Sequence, residues 1–154
     1  MYRKILVPLD GSELAECILS HVETIGKGCE VKDVVLIRVV EPLDLPTRGG
    51  IAFSHAELER MESHRRSETE EYLQKKANEL QEAGLSVRWE ILGGKAAETI
   101  ADYAKMNEFD LILIATHGRS GPSRLYWGSV ADRIIREVCV PVLMVRAPGC
   151  FPNN

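Results

Sequence analysis

Apolar residues in this chain gather in short runs separated by longer amphipathic stretches, and the two kinds of segment alternate from end to end. The first run, Ile5-Leu6-Val7-Pro8-Leu9, is short and wholly apolar, as a buried strand is. Asp10-Gly11-Ser12 breaks it with turn chemistry, and Asp10 or Ser12 can cap the helix that follows. On that helix Leu14, Ile18, Val22 and Ile25 recur at helical spacing, and Gly26 to Gly28 end it. A second strand, almost wholly apolar, runs from Val34 to Val40. An irregular loop with prolines and glycines spans Glu41 to Phe53. A long helix then covers Ser54 to Ala83, with Leu58, Met61, Tyr72, Leu73, Ala77 and Leu80 among many charges. Gly84 stops it, and Ser86 to Ile91 alternates as a half-exposed third strand. Gly93-Gly94 turns into a helix bearing Ala97, Ile100, Ala101 and Ala104. A fourth strand (Leu111 to Thr116), a glycine-rich loop, a helix (Val130 to Val138) and a fifth strand (Val140 to Val145) complete the pattern.

Alternation of strand and helix implies an α/β fold, a parallel sheet with helices on both faces. Internal repeats, low-complexity segments and interdomain linkers are absent, so residues 1–147 are expected to form one domain, with 148–154 as a short tail. A chain of 154 residues is ample for one buried core, and 45% hydrophobic against 27% charged residues argues against disorder. The net charge is −4 and no continuous Lys/Arg stripe occurs, which argues against a nucleic-acid surface. The longest apolar runs, Leu111 to Ala115 and Pro141 to Val145, are too short to span a bilayer. Met1-Tyr2-Arg3-Lys4 leads straight into a strand, so a cytoplasmic protein away from membranes is expected. Cys17, Cys29, Cys139 and Cys150 form no CxxC pair; Cys17 and Cys139 read as small core or boundary residues rather than zinc or redox ligands.

In an open parallel sheet, ligands lie beyond the carboxyl ends of the strands where the winding direction reverses. If strands one and four flank that point, the loops to inspect are Leu9-Asp10-Gly11-Ser12 and Thr116-His117-Gly118-Arg119-Ser120-Gly121. Gly118 and Gly121 can expose successive backbone N–H groups to an anion. Gly128 and Ser129 stand at a helix N-terminus, where unpaired N–H groups and the macrodipole favour phosphate. The plain alternative is a surface loop before a Ser-capped helix, but two glycine clusters converging on one switch point favour the phosphate site. Arg119, directly after Gly118, is a better phosphate partner than Arg124. The plain readings hold elsewhere: His117 as a loop hydrogen-bonder, His21 as structural, His55 and His64 without metal-ligand spacing. No Walker A motif exists, since Gly94-Lys95 is followed by Ala96 and Trp89 stands where the first glycine belongs.

Ala115-Thr116-His117-Gly118, nine residues, then Gly128-Ser129 closely resembles the universal stress protein signature Gly-x-x-Gly-x9-Gly-(Ser/Thr). The opening Ile5-Leu6-Val7-Pro8-Leu9-Asp10-Gly11-Ser12 and the closing Pro141-Val142-Leu143-Met144-Val145 resemble the same family. The resemblance implies an open five-stranded parallel sheet in the order 3-2-1-4-5, Rossmann-like and of the adenine nucleotide alpha hydrolase type. It also implies, for one branch, ATP binding. Asp10 would then hold the ribose or adenine end, with Pro8, Leu9 and Val39 walling the base. Gly118, Arg119, Gly128, Ser129 and Val130 would wrap the phosphates, with Mg²⁺ or Mn²⁺ bridging phosphate oxygens. Ala115 departs from the pattern by placing a methyl where that branch usually has glycine; ordinary β dihedrals accommodate it, with AMP or ADP as alternatives to ATP.

Three functions stay open: a nucleotide-binding stress-response or regulatory module, a slow ATP-hydrolysing or self-phosphorylating enzyme, and a nucleotide-free interaction protein. A homodimer through strand five is expected as well. Strand three carries Arg88 and Glu90, whereas Val140 to Val145 has no charge, and antiparallel pairing with a twin satisfies such an edge.

Overall fold

The computed structural model describes residues 2–42, 54–116 and 129–146. In chain order the elements are β1 (Lys4–Pro8), α1 (Glu13–Glu16), α2 (Leu19–Gly28), β2 (Asp33–Val40), α3 (His55–Glu82), β3 (Val87–Gly93), α4 (Ala96–Met106), β4 (Leu111–Thr116), α5 (Ser129–Glu137) and β5 (Val142–Arg146). The five strands form one parallel sheet in the order β3-β2-β1-β4-β5. The expected fold class is therefore the observed one.

Side chains alternate across the sheet and build two cores. On one face Ile5, Val7, Leu36 and Leu113 pack with Ile18 and Val22 of the first helical region and Leu73, Ala77 and Leu80 of α3. On the other, Leu6, Val35, Ile37, Ile112 and Ile114 pack with Ile100 and Ala104 of α4 and Ala131 and Ile134 of α5. Ile5, Leu6 and Val7 have no exposed surface, which is why β1 reads as an unbroken apolar run.

The first helix, the start of the fifth strand and Cys139 differ from the expectations of the sequence. The single helix after β1 is split at Cys17 and Ile18. The Ile18 N–H bonds to Ala15, three residues back, tightening the turn and re-phasing the helix, so Ile18 is buried and Leu14 is 45% exposed. In α3 the burial falls on the C-terminal half, at Thr69, Leu73, Lys76, Ala77 and Leu80, while Met61 faces outward. The cause is length: the 28-residue helix is about 42 Å long. The eight-residue β2 spans only about 26 Å, so the first turns of α3 overhang the sheet. The fifth strand starts two residues later than expected, at Val142 rather than Val140, and runs to Arg146. Pro141 has no N–H to offer a ladder, though its carbonyl accepts from Ile112 at 2.9 Å. Cys139, just before it, is exposed rather than a core or boundary residue.

The amino ends of β1 and β4 are tied by one carboxylate. Asp110 accepts hydrogen bonds from the backbone N–H groups of Arg3 and Lys4, both at 2.9 Å. Those two bonds hold its pKa below the usual carboxylate value. With the folded value lowered, the stabilisation is complete above the unfolded value and fades as pH falls through the folded one. Asp110→Ala is expected to cost on the order of 1 kcal/mol at pH 7, modest because the site is exposed. Urea unfolding of both proteins from pH 7 to pH 3 checks this: the gap between them should close on acidification, and a constant gap would contradict the assignment.

Candidate functional site

At their carboxyl ends β1 and β4 part. The β1–β2 register continues through Pro8 and Ile37, but the β1–β4 register holds only Ile5 with Leu111 and Leu6 with Ile112. The gap opens into a cleft of about 230 Å³. Pro8, Leu9 and Asp10 enter it from β1, Ile37 and Val39 from β2, and Ile114, Ala115 and Thr116 from β4. Ala15 of α1, Ala96 and Ile100 of α4, and Val130 and Ala131 of α5 complete the walls. Among the described residues the lining is apolar except for Asp10 and Thr116.

The turn after β1 is built from its own side chains. Leu9 donates its N–H to the carbonyl of Ile37 at 2.8 Å, keeping the turn's entry against β2. Gly11 adopts φ +84°, a left-handed conformation that glycine takes without strain. The Asp10 Oδ1 then accepts from the Ser12 N–H at 2.8 Å and from the Ser12 hydroxyl at 2.6 Å. The Ser12 oxygen in turn accepts from the Ala15 N–H at 3.1 Å, capping α1. Asp10 is thereby fixed at the mouth of the cleft, on the exposed side.

Across the cleft, α5 begins at Ser129 and presents its N-terminal turn through Val130. The helix is held to its neighbour α4 by an ion pair between Arg133 and Glu98 at 2.7 Å. The side chain of Glu41, just past β2, accepts from the Ala96 N–H at 3.3 Å and caps α4, whose own N-cap Lys95 makes no side-chain bond. Ala115 sits inside β4 opposite Val145, within ordinary strand pairing, so its methyl needs no special backbone.

Of the ten residues singled out in the sequence, Pro8, Leu9, Asp10, Val39, Ala115 and Val130 meet around this one cleft. Gly118, Arg119 and Gly128, with His117, lie outside the described residues, and Ser129 is placed only as the first residue of α5. Sequence reasoning reached Thr116, buried at 6% exposure, only as the first residue of a loop to inspect and gave it no role, and it missed the apolar walls from Ala15, Ala96 and Ala131. Thr116 was visible as the last residue of an apolar strand at the switch point. The alanines carry no such signal. His55 and His64 pair with Glu59 and Glu68 on the exposed face of α3, and no metal-ligating cluster occurs among the described residues.

The model of the Universal stress protein family matches residues 1–146. The chain is 31% identical over 150 residues to Universal stress protein MJ0531 of Methanocaldococcus jannaschii, covering 96% of this chain and 84% of that one. It is 31% identical over 156 residues to Universal stress protein MJ0577 of the same organism, covering 95% and 96%. The solved structure of MJ0577 matches with a TM-score of 0.80 at 27% identity, over 97% of this chain and 99% of that chain. Two structures at 16% identity share the fold. One is a universal stress protein in complex with cAMP, with a TM-score of 0.70 over 95% of this chain and 98% of that one. The other is a family protein from Arabidopsis thaliana with AMP bound, with a TM-score of 0.67 over 96% and 93%. Among the described residues, no helix is long and apolar enough to cross a membrane.

Ser12 both caps α1 and holds Asp10, so Ser12→Ala should lower unfolding free energy by about 1 kcal/mol. Chemical denaturation checks it; an unchanged midpoint would mean that the cap contributes nothing.

Proposed function

We propose a function for this chain from one premise: it belongs to the universal stress protein family. The function is binding of an adenine nucleotide, ATP with AMP or ADP as alternatives, by a stress-response or regulatory protein of the cytoplasm. Nucleotide occupancy then sets its conformation or choice of partner. Residues 1–147 act as one nucleotide-binding domain, with 148–154 a short tail.

The observation that carries this reading is the apolar cleft between the parted ends of β1 and β4, with one carboxylate at its mouth and a helix N-terminus opposite. At about 230 Å³ it is smaller than the ~300–1,000 Å³ of drug-sized pockets, which suits a nucleoside end alone. Pro8, Leu9 and Val39 offer a dry wall to a base, and Asp10 an acceptor to ribose or adenine N–H and O–H groups. The N-terminus of α5 at Ser129 and Val130 is suited to anionic oxygens. Gly118, Arg119 and Gly128 are assigned to the phosphates by the motif. The family resemblance implies Mg²⁺ or Mn²⁺ held through the phosphate oxygens of the ligand, and no metal-ligating cluster occurs among the described residues. Related proteins with cAMP and with AMP bound support a nucleotide of this class.

Isothermal calorimetry of wild type and Asp10→Ala tests the reading. ATP should bind the wild type, and the variant should lose roughly 1–3 kcal/mol, as on removing a charged hydrogen-bond partner. Inorganic triphosphate should bind both equally. A wild type without affinity for adenine nucleotides refutes the function; an equal loss for triphosphate refutes the role of Asp10.

The homodimer is proposed through β5. Its open edge carries Val142, Leu143, Met144 and Val145, with Leu143 37% exposed, and Ile135 stands out on α5 beside it in sequence. The other edge, β3, carries Arg88 paired with Asp33 and Glu90. Antiparallel contact of two β5 edges would bury the apolar one under two-fold symmetry. Light scattering should give a dimer for wild type at micromolar concentration and a monomer for Val142→Lys with Leu143→Glu. A monomeric wild type or a dimeric variant overturns it.

A further inference from the structure

Behind the turn that carries Asp10, on the sheet face opposite Ile37 and Val39, lies a cation that the cleft does not use. Arg38 is half-buried in β2, a strand otherwise apolar between Val34 and Val40. Its guanidinium lies flat against Gly11. A Cβ at Gly11 would come within 2.5 Å of Nη1, 2.8 Å of Cζ and 3.0 Å of Nη2, so any side chain there displaces the whole group. The guanidinium also lies over the ring of Tyr72 on α3, with Cζ 5.8 Å from the ring centroid. At that distance a cation is attracted by the ring face.

Tyr72 is in turn held by charges from two elements. Its hydroxyl is buried and makes no well-formed hydrogen bond, with Glu16 of α1 beside it. Burial pushes the phenol up most, Glu16 and Asp10 push it further up, and Arg38 draws it down. Asp10 and Arg38 thus both stand close to the same ring. Glu16 is anchored by Lys76 at 2.8 Å, and Lys76, only 9% exposed, also pairs with Glu79 at 3.2 Å. The result is a polar strut running from the Gly11 turn through Arg38 and Tyr72 to α1 and α3.

We propose that Arg38 is a positioning residue for the nucleoside end of the cleft: packed against Gly11 and lying over the Tyr72 ring, it holds the turn from behind and sets where the Asp10 carboxylate stands. The proposal rests on the nucleotide reading above for its effect on affinity, but not for its effect on the turn. An arginine suits the task because its planar, always-charged group can pack closely against a glycine backbone and also be attracted by a nearby aromatic ring. Lysine keeps the charge, methionine only the stem.

The test compares wild type, Arg38→Met, Arg38→Lys, Asp10→Ala and the Asp10→Ala/Arg38→Met double variant, each checked for cooperative unfolding. Arg38→Gln carries the same expectation as Arg38→Met and replaces it if the methionine variant does not fold. Amide hydrogen exchange without nucleotide should quicken roughly tenfold at Gly11 and Ser12 in Arg38→Met. ATP affinity should fall about tenfold in the wild-type background and less than about twofold once Asp10 is gone, because the two residues act as one. Arg38→Lys should recover both readouts to within about threefold of wild type. Unchanged exchange in Arg38→Met overturns the hold on the turn, whatever the affinities. An affinity loss of the same size with and without Asp10 overturns the action through that carboxylate. A wild type that binds no ATP refutes the nucleotide reading, while faster exchange in Arg38→Met still supports the strut.

Discussion

The geometry of the cleft depends on a hydrogen-bond donor that Pro8 does not have. Leu9 donates to Ile37 in β2, so in a strand whose backbone groups alternate sides, Leu6 and Pro8 point toward β4. Leu6 is the last β1 residue in register with β4, opposite Ile112, and the next N–H of that ladder would belong to Pro8. The strands part there. Each stays supported on its outer side: β1 pairs with β2 through Pro8 and Ile37, and β4 with β5 through Thr116 and Arg146. The opening is therefore rigid-walled, made by ending one ladder between two that continue.

A gap of this kind is useful only if the chain crossing its mouth is held still. Four residues of turn cross it after β1, and hydrogen bonds from Ser12 secure Asp10 on the near side. Gly11 lets the backbone reverse and also lets the Arg38 guanidinium come flush against it. The same absence of a side chain serves both ends. A β-carbon would strain the turn at φ +84° and push out the arginine behind it.

How far the sequence reveals this can be judged residue by residue. Apolar runs identified four strands, and most plainly β1, β2 and β4, because strands buried on both faces need unbroken hydrophobicity, while alternation identified the half-exposed β3. The strand order came from family resemblance, since periodicity carries no information about neighbours. Leu14 misled because helical spacing presumes one continuous helix, whereas the Ile18–Ala15 bond re-phases it. Met61 is exposed because an apolar residue on an overhanging turn has no sheet to face. At the cleft, polar and glycine residues announced themselves, and Asp10 was found that way. The small wall residues did not, because an alanine at a pocket wall and one in a core look alike in a sequence. Arg38 was legible only as an interruption in β2; what it touches depends on the depth of Gly11 and the place of Tyr72, which lies 34 positions later in the chain.

The make-up of the cleft also constrains how any nucleotide could be read. Its walls are apolar side chains, which stabilise a base by excluding water but would penalise a phosphate left among them. Anionic groups need N–H donors and positive charge, and on this side of the molecule the N-terminus of α5 supplies the former. Base and phosphate would therefore be served by different parts of the fold: β1 and β2 with their shared turn, and β4 with the helix beyond it. Those two halves are the strands that Pro8 allows to separate. A ligand spanning them would bridge the one break in the sheet, making contact with both halves at once, whereas a nucleoside or a phosphate alone would engage one half and leave the other as it is. Ile100 and Ala104 of α4 pack with Ala131 and Ile134 of α5 on the far side, and Arg133 pairs with Glu98 at the surface between them. Discrimination among adenine nucleotides would then lie in how many phosphates reach α5, with the dry wall and Asp10 contributing equally to each.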